Sequence, residues 1–219
     1  ISRNLPKIRS PSEKRTMNPL KSIGGTIISG IVLAVLIAAF MPGEHIVGVT
    51  AKSIVIWMHV LSGVTWIGLL YYFNFIQVPA LGEAAGDEGG PGGAGIAKYV
   101  APRALWWFRW GALATWITGA AYLQLQGMLH QAFTFGLMGD SPNPYANMIG
   151  VGSWLGTIML FNVWILIWPN QKKVLGMVEA TPEQVAKAKN IAFMASRSNT
   201  LMSIPMLMSM VGPGHGWFM

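Results

Sequence analysis

Uncharged apolar runs of about 20 residues, the length a helix needs to cross a bilayer core, recur five times along the chain. They lie near 22–41, 53–76, 104–126, 148–169 and 190–211. Polar or glycine-rich stretches separate them. This pattern predicts an all-α integral membrane bundle of about five transmembrane helices, with a basic tail over 1–21 ahead of a bundle over 22–219. The segment from Leu81 to Pro102 carries seven glycines with Glu83, Asp87 and Glu88, and reads as a mobile loop. No strand precedes it and no Lys-Ser/Thr pair follows, so it is not a phosphate cradle.

Local signals refine the spans. Thr181-Pro182-Glu183-Gln184 offers an N-cap, a proline at the first helical position and a glutamine three residues after the cap, so the last helix should start before its apolar run. Pro205 lies inside that helix and predicts a kink. Gly111, Thr115 and Gly119 share one face of the third span, and Gly152 and Gly156 one face of the fourth; small residues four apart let helices approach closely.

Composition supports the membrane reading: 53% of residues are hydrophobic and only 11% charged. Fifteen Lys and Arg against eight Asp and Glu give a net charge of +7, and the basic residues sort by side. Arg3, Lys7, Arg9, Lys14, Arg15, Lys21, Lys98, Arg103, Lys172, Lys173, Lys187 and Lys189 fall on the N-terminal side, with Lys52 opposite. By the positive-inside rule the N-terminus is expected in the cytoplasm and the C-terminus in the periplasm, in a bacterial inner membrane. Nucleic acid is not an expected partner. The first span could be a signal peptide, but Phe40-Met41-Pro42-Gly43 is a poor cleavage site, so a retained anchor is expected.

The chain has no cysteine, which excludes thiolate metal sites, iron–sulfur clusters and covalently attached c-type haem. Any metal or haem must use His or Met. This topology places His45, His59, His130 and His215 on the non-cytoplasmic side. His59 lies two turns into its span, a depth at which an ionisable group suggests function. Gly63 follows one turn later on the same face, a step against which a porphyrin edge could rest, making His59 a candidate axial ligand of b-type haem. The plain alternative is a neutral histidine bonded to a neighbouring helix. For a second ligand, His130 ranks first, His215 second and His45 third. Met202, Met206 and Met210, with Met208, would suit Cu(I) beside imidazoles, or serve as adaptable packing.

Polar residues gather toward the basic side: Asn74 and Gln77; Asn162 with Asn170 and Gln171; and Ser196 to Thr200, including Asn199. Arg109 and Arg197 add positive charge there. They could bind an anionic or heterocyclic ligand or a haem propionate, or act as snorkelling arginines and interhelical amides.

The block Phe161-Asn162-Val163-Trp164-Ile165-Leu166-Ile167-Trp168-Pro169-Asn170-Gln171-Lys172-Lys173, followed by Ala195-Ser196-Arg197-Ser198-Asn199-Thr200-Leu201-Met202-Ser203-Ile204-Pro205-Met206-Leu207, resembles the membrane domain of the PuuD-type urate hydroxylase (urate oxidase N-terminal) family. The His59–Gly68 run and Lys98-Tyr99-Val100-Ala101-Pro102 fit as well, so the resemblance spans roughly 50–215. It implies an integral-membrane oxidoreductase acting on urate or a related purine. Family members fused to a C-terminal cytochrome c pass electrons to it. This sequence has no Cys-x-x-Cys-His, so the chain is expected to lack that domain and to need an external acceptor, a separate cytochrome or a quinone.

Three functions are therefore expected. The first is a redox protein with haem b on His59 and His130 or His215, and with Arg109, Asn162, Asn170, Arg197 and Asn199 around a polar pocket or the propionates. The second is a non-catalytic subunit of a respiratory, photosynthetic or oxygenase complex. Copper handling is a third. No acidic residue stands at mid-span, so catalysis would depend on a cofactor or a partner chain.

Overall fold

A computed structural model of the chain describes residues 18–40, 50–138 and 142–217; the tail over 1–17 and His45 lie outside them. No strand occurs among the described residues. The chain divides into two compact units, 1–49 and 50–219.

In the first unit, Asn18 caps a 3-10 turn, Pro19–Lys21, by accepting the Leu20 N–H at 2.9 Å. Helix α1 (Ile23–Phe40) follows, long and apolar enough to cross a membrane.

The second unit is a bundle of four long helices. The first consists of α2 (Ala51–Tyr71), a π-helical segment Tyr72–Gln77 and α3 (Val78–Gly86). The second begins as a π-helical segment, Ile96–Val100, and continues as α4 (Ala101–Leu125); the short α5 (Leu129–Phe133) comes after it. The third joins α6 (Pro144–Phe161) through a π-helical segment, Asn162–Ile167, to α7 (Trp168–Val174). The fourth is α8 (Pro182–Val211), followed by a 3-10 turn, Gly212–His215. Helix α2 packs on α4, α4 on α6, α6 and α7 on α8, and α8 on α2, which closes an up-and-down bundle joined by short connections.

The core runs down the centre: Trp66, Leu70, Phe73, Phe108, Met159, Val163 and Met206 are buried, and Met202 and Met210 pack against them. Apolar residues also face outward; Val64, Leu201 and Ile204 are 68%, 71% and 67% exposed. A surface this apolar is stable in a lipid environment. Three helices, Ile23–Phe40, Ala51–Gly86 and Pro144–Val174, are long and apolar enough to span it, and the chain is a multi-pass membrane protein. Helices α4 and α8, of 25 and 30 residues, have the length too, but Trp and Arg in one and Lys, Arg and Ser in the other dilute their apolar character.

Each π-helical segment ends one residue before an X-Pro pair: Val78-Pro79, Ala101-Pro102 and Trp168-Pro169. The residue before the proline donates five back, Val78 to the Phe73 carbonyl, Ala101 to Ile96 and Trp168 to Val163. A proline lacks the N–H for the carbonyl four residues earlier and its ring presses against that carbonyl. A widened turn relieves the clash and lets the helix continue. The helices therefore run past their prolines, and much of the expected loop over 81–102 is helical: α3 reaches Gly86 and the next helix resumes at Ile96.

Helix ends follow local chemistry. Thr181 and Gln184 form the reciprocal capping box at the start of α8, with bonds of 3.0 and 3.3 Å. At the end of α4, Gly127 adopts φ +70°, the Met128 N–H reaches the Leu123 carbonyl and the Gly127 N–H reaches Gln124, the Schellman pattern. That stop answers whether α4 runs on to His130. It does not: His130 sits on α5.

Candidate functional site: a cavity at the basic end of the bundle

The end of the bundle where α3, the start of α4, α7 and the start of α8 meet carries Lys98, Arg103, Lys172, Lys173, Lys187 and Lys189, together with Glu83, Asp87, Glu88, Glu179 and Glu183. Between the four helices at this end lies a cavity of about 830 Å³, inside the range of roughly 300–1,000 Å³ usual for small-molecule sites. All three π-helical segments contribute to its wall: Phe73, Asn74 and Gln77 from the first, Ala97 from the second, Ile167 from the third. The turns that accommodate the prolines thus form part of the cavity wall.

The cavity is mostly apolar, with Leu105, Phe108 and Ile167 in its lining. Its polar groups are Asn74, Gln77, Gln171, Ser196 and, exposed, Lys189 and Asn190. Asn74 is held: its Nδ2 donates to the Leu70 carbonyl and to Ser196 Oγ, both at 2.8 Å, tying the first helix to the fourth. Gln77 is only 8% exposed, and its buried Oε1 has no hydrogen-bond partner among the described residues. A buried amide oxygen left without a donor is costly. Here it lines a cavity large enough to admit a ligand that donates one.

Of the polar clusters expected from the sequence, the structure brings Asn74, Gln77, Gln171 and Ser196 to the cavity. Asn162, Asn170 and Asn199 do not line it. Asn162 Nδ2 donates to Asn199 Oδ1 at 2.8 Å, and Asn199, fully buried, donates on to the Met159 carbonyl at 3.0 Å. Asn170 Nδ2 bonds the Leu166 carbonyl of its own helix at 2.7 Å. Arg109 lies outside the cavity too, stacked 3.8 Å from the centroid of Trp168, and Arg197 stands over Phe193 at 5.2 Å. Lys189, Asn190 and the wall residues Leu81 and Ala97 went unsuspected. The prolines at 79, 102 and 169 were the available signal.

The histidines are dispersed. His59, half-buried between α2 and α4, has Nδ1 2.8 Å from the Thr115 carbonyl, and Nε2 makes no hydrogen bond to any described residue. His130 is exposed on α5, which packs on α6. His215 is exposed on the terminal 3-10 turn, its Nδ1 2.9 Å from the Val211 carbonyl. No group of three or more His, Cys, Asp or Glu side chains that could hold a metal occurs among the described residues. The fit to haem b is therefore partial. With Nδ1 bonded to a carbonyl, Nε2 of His59 is the nitrogen left for an iron. The step expected at Gly63 faces the Thr115 methyl, which would lie 3.8 Å from a Cβ there, ordinary van der Waals contact.

Small residues divide in the same way. A Cβ on Gly111 would stand 3.4 Å from the Trp66 nitrogen, and one on Gly152 would stand 2.5 Å from Ser209 Oγ, so both mark close helix contacts. Gly156, expected on the same face as Gly152, has open space beside it.

No curated protein and no solved structure matches the chain. A family model described as Urate oxidase N-terminal matches residues 134–218. The match takes in α6, α7 and α8, and with them Ile167, Gln171, Lys189 and Ser196 of the cavity; Asn74 and Gln77 lie before it. The blocks at 161–173 and 195–207 fall inside the match, whereas the His59–Gly68 run and Lys98–Pro102 lie before it, so over residues 134–218 the chain is similar to the urate oxidase N-terminal family.

Proposed function

We propose that the protein is the membrane-embedded part of a urate hydroxylase-type oxidoreductase of the bacterial inner membrane, and that the cavity at the basic end receives the purine. The unpartnered Oε1 of Gln77 carries this reading: a purine ring N–H is the donor it lacks. Lys189, exposed beside the cavity, favours an anionic ligand, and the family match supplies the substrate class. The lining holds no Asp, Glu or His, so these side chains bind and orient, while the electrons pass to a separate cytochrome or quinone. Urate-dependent reduction of an added cytochrome c or quinone by membranes containing the chain tests the reading. Turnover that falls by about tenfold or more in Gln77→Leu is expected, the loss of a buried hydrogen bond with its partner stranded; turnover indifferent to Gln77 would overturn it.

The same absence of an acid or base favours a second reading, a non-catalytic subunit of a larger membrane complex. A chain that co-purifies in fixed ratio with other subunits and turns over no urate would establish it. A b-type haem held by His59 would use Nε2 and take its second ligand from elsewhere. A reduced-minus-oxidised spectrum of the purified chain decides this: a haem b signal lost in His59→Ala supports the ligation, and no signal sinks it.

A further inference from the structure

Arg109 makes no hydrogen bond and no ion pair with any described residue, although a guanidinium carries five N–H donors. Its Nε is buried and unpartnered. What surrounds it is aromatic. The guanidinium carbon lies 3.8 Å from the centroid of Trp168 and 5.9 Å from those of Trp110 and Trp164, and the last two rings meet edge to face at 5.3 Å. Stacking fixes where the guanidinium stands and satisfies its charge in part. It satisfies none of the N–H donors.

A second cation stands over the same ring: Lys172 Nζ is 5.8 Å from the Trp168 centroid. Lys172 is four residues beyond Trp168, about 6 Å farther along the helix toward its basic end, so Arg109 sits one turn inside the terminal lysines. The flank is apolar and open, with Trp106, Trp107 and Trp110 of α4 each more than two-fifths exposed. Neither α4 nor α7 contains an acidic residue. Two cations, unspent donors and no carboxylate on α4 or α7 make this flank a fit for an anion from outside the chain, and a bilayer is a source of one.

We propose that the flank where Arg109 of α4 stacks on Trp168 of α7, beside Lys172, seats the phosphate of an anionic phospholipid. The planar guanidinium donates to two phosphate oxygens at once, Lys172 closes on the headgroup from its outer side, and the exposed tryptophans lie along the acyl chains. The site is separate from the cavity, whose lining includes neither Arg109 nor Lys172.

Native mass spectrometry of the detergent-purified chain with added phosphatidylglycerol, or phosphatidylcholine of the same acyl chains, tests this. One phosphatidylglycerol should be retained about tenfold more tightly than phosphatidylcholine, because both present a phosphate but the choline cation of the second would stand against Lys172. Arg109→Gln should abolish that preference, Lys172→Gln should reduce it, and Lys52→Gln at the opposite end should leave it intact. Arg109→Lys, which keeps the charge without the fork, should retain part of it, and circular dichroism would show that each variant is folded. Equal retention of both lipids, or wild-type retention by folded Arg109→Gln, would overturn the proposal. Displacement by inorganic phosphate alone would do so as well, making this a site for a free anion, as would a co-purifying chain whose carboxylate fills the site in place of lipid.

Discussion

The imidazole of His59 occupies the notch that Gly119 leaves in α4: a Cβ on Gly119 would stand 2.8 Å from Cε1 and 3.0 Å from Nδ1 of His59. The same Nδ1 bonds the Thr115 carbonyl at 2.8 Å, so one glycine and one carbonyl seat the ring between the helices. Gly119→Ala should displace the ring and cost about 1–3 kcal/mol, as overpacking does. Thermal unfolding in detergent measures this, and an unchanged midpoint would show that the ring moves freely.

The amide relay from Asn162 through Asn199 to the Met159 carbonyl joins the third helix to the fourth inside the core. Asn199→Leu should destabilise the bundle by about 1 kcal/mol, the scale of interhelical hydrogen bonds in membranes. A double-mutant cycle with Asn162→Leu should show coupling between the two positions. Additive losses would mean that the bond contributes nothing.

Gly152 and Gly156 occupy equivalent places on the fourth expected span, yet only one touches a neighbour. Gly152→Ala meets Ser209 and Met210 of α8 and should lower stability by about 1–3 kcal/mol. Gly156→Ala meets nothing and should stay within about 0.5 kcal/mol of wild type or gain slightly in helix propensity. Equal effects in unfolding measurements would contradict the packing described.

Pro79 holds open the π-helical turn that carries Asn74 and Gln77. Pro79→Ala removes the clash that favours the wide turn, so the turn should tighten and rotate these side chains relative to the cavity. Helicity by circular dichroism should be kept while urate binding falls. Loss of helicity, or unaltered binding, would separate the proline from the site.

These contrasts mark what could be read from the sequence. The capping box at Thr181 and Gln184 was legible because its four residues satisfy one another. The all-α membrane class was legible because apolar runs of that length leave few other structures. The apolar runs end near 76 and 169, but the helices continue beyond them, because a π turn absorbs Pro79 and Pro169. The fate of each amide was not legible at all. Asn162, Asn199 and Gln77 are alike as residue types near span ends, and only the register across helices spends the first two on each other and leaves Gln77 Oε1 without a donor. The second histidine was likewise decided by a glycine three residues earlier, which ends α4 and puts His130 on another element.

Direct binding of urate to the purified chain in lipid nanodiscs, followed by titration calorimetry for wild type, Gln77→Leu and Asn170→Ala, tests the central claim. Saturable binding at one site, weakened about tenfold or more in Gln77→Leu and unchanged in Asn170→Ala, is the predicted result. Absence of binding by the wild-type chain, or equal affinity in Gln77→Leu, would contradict it.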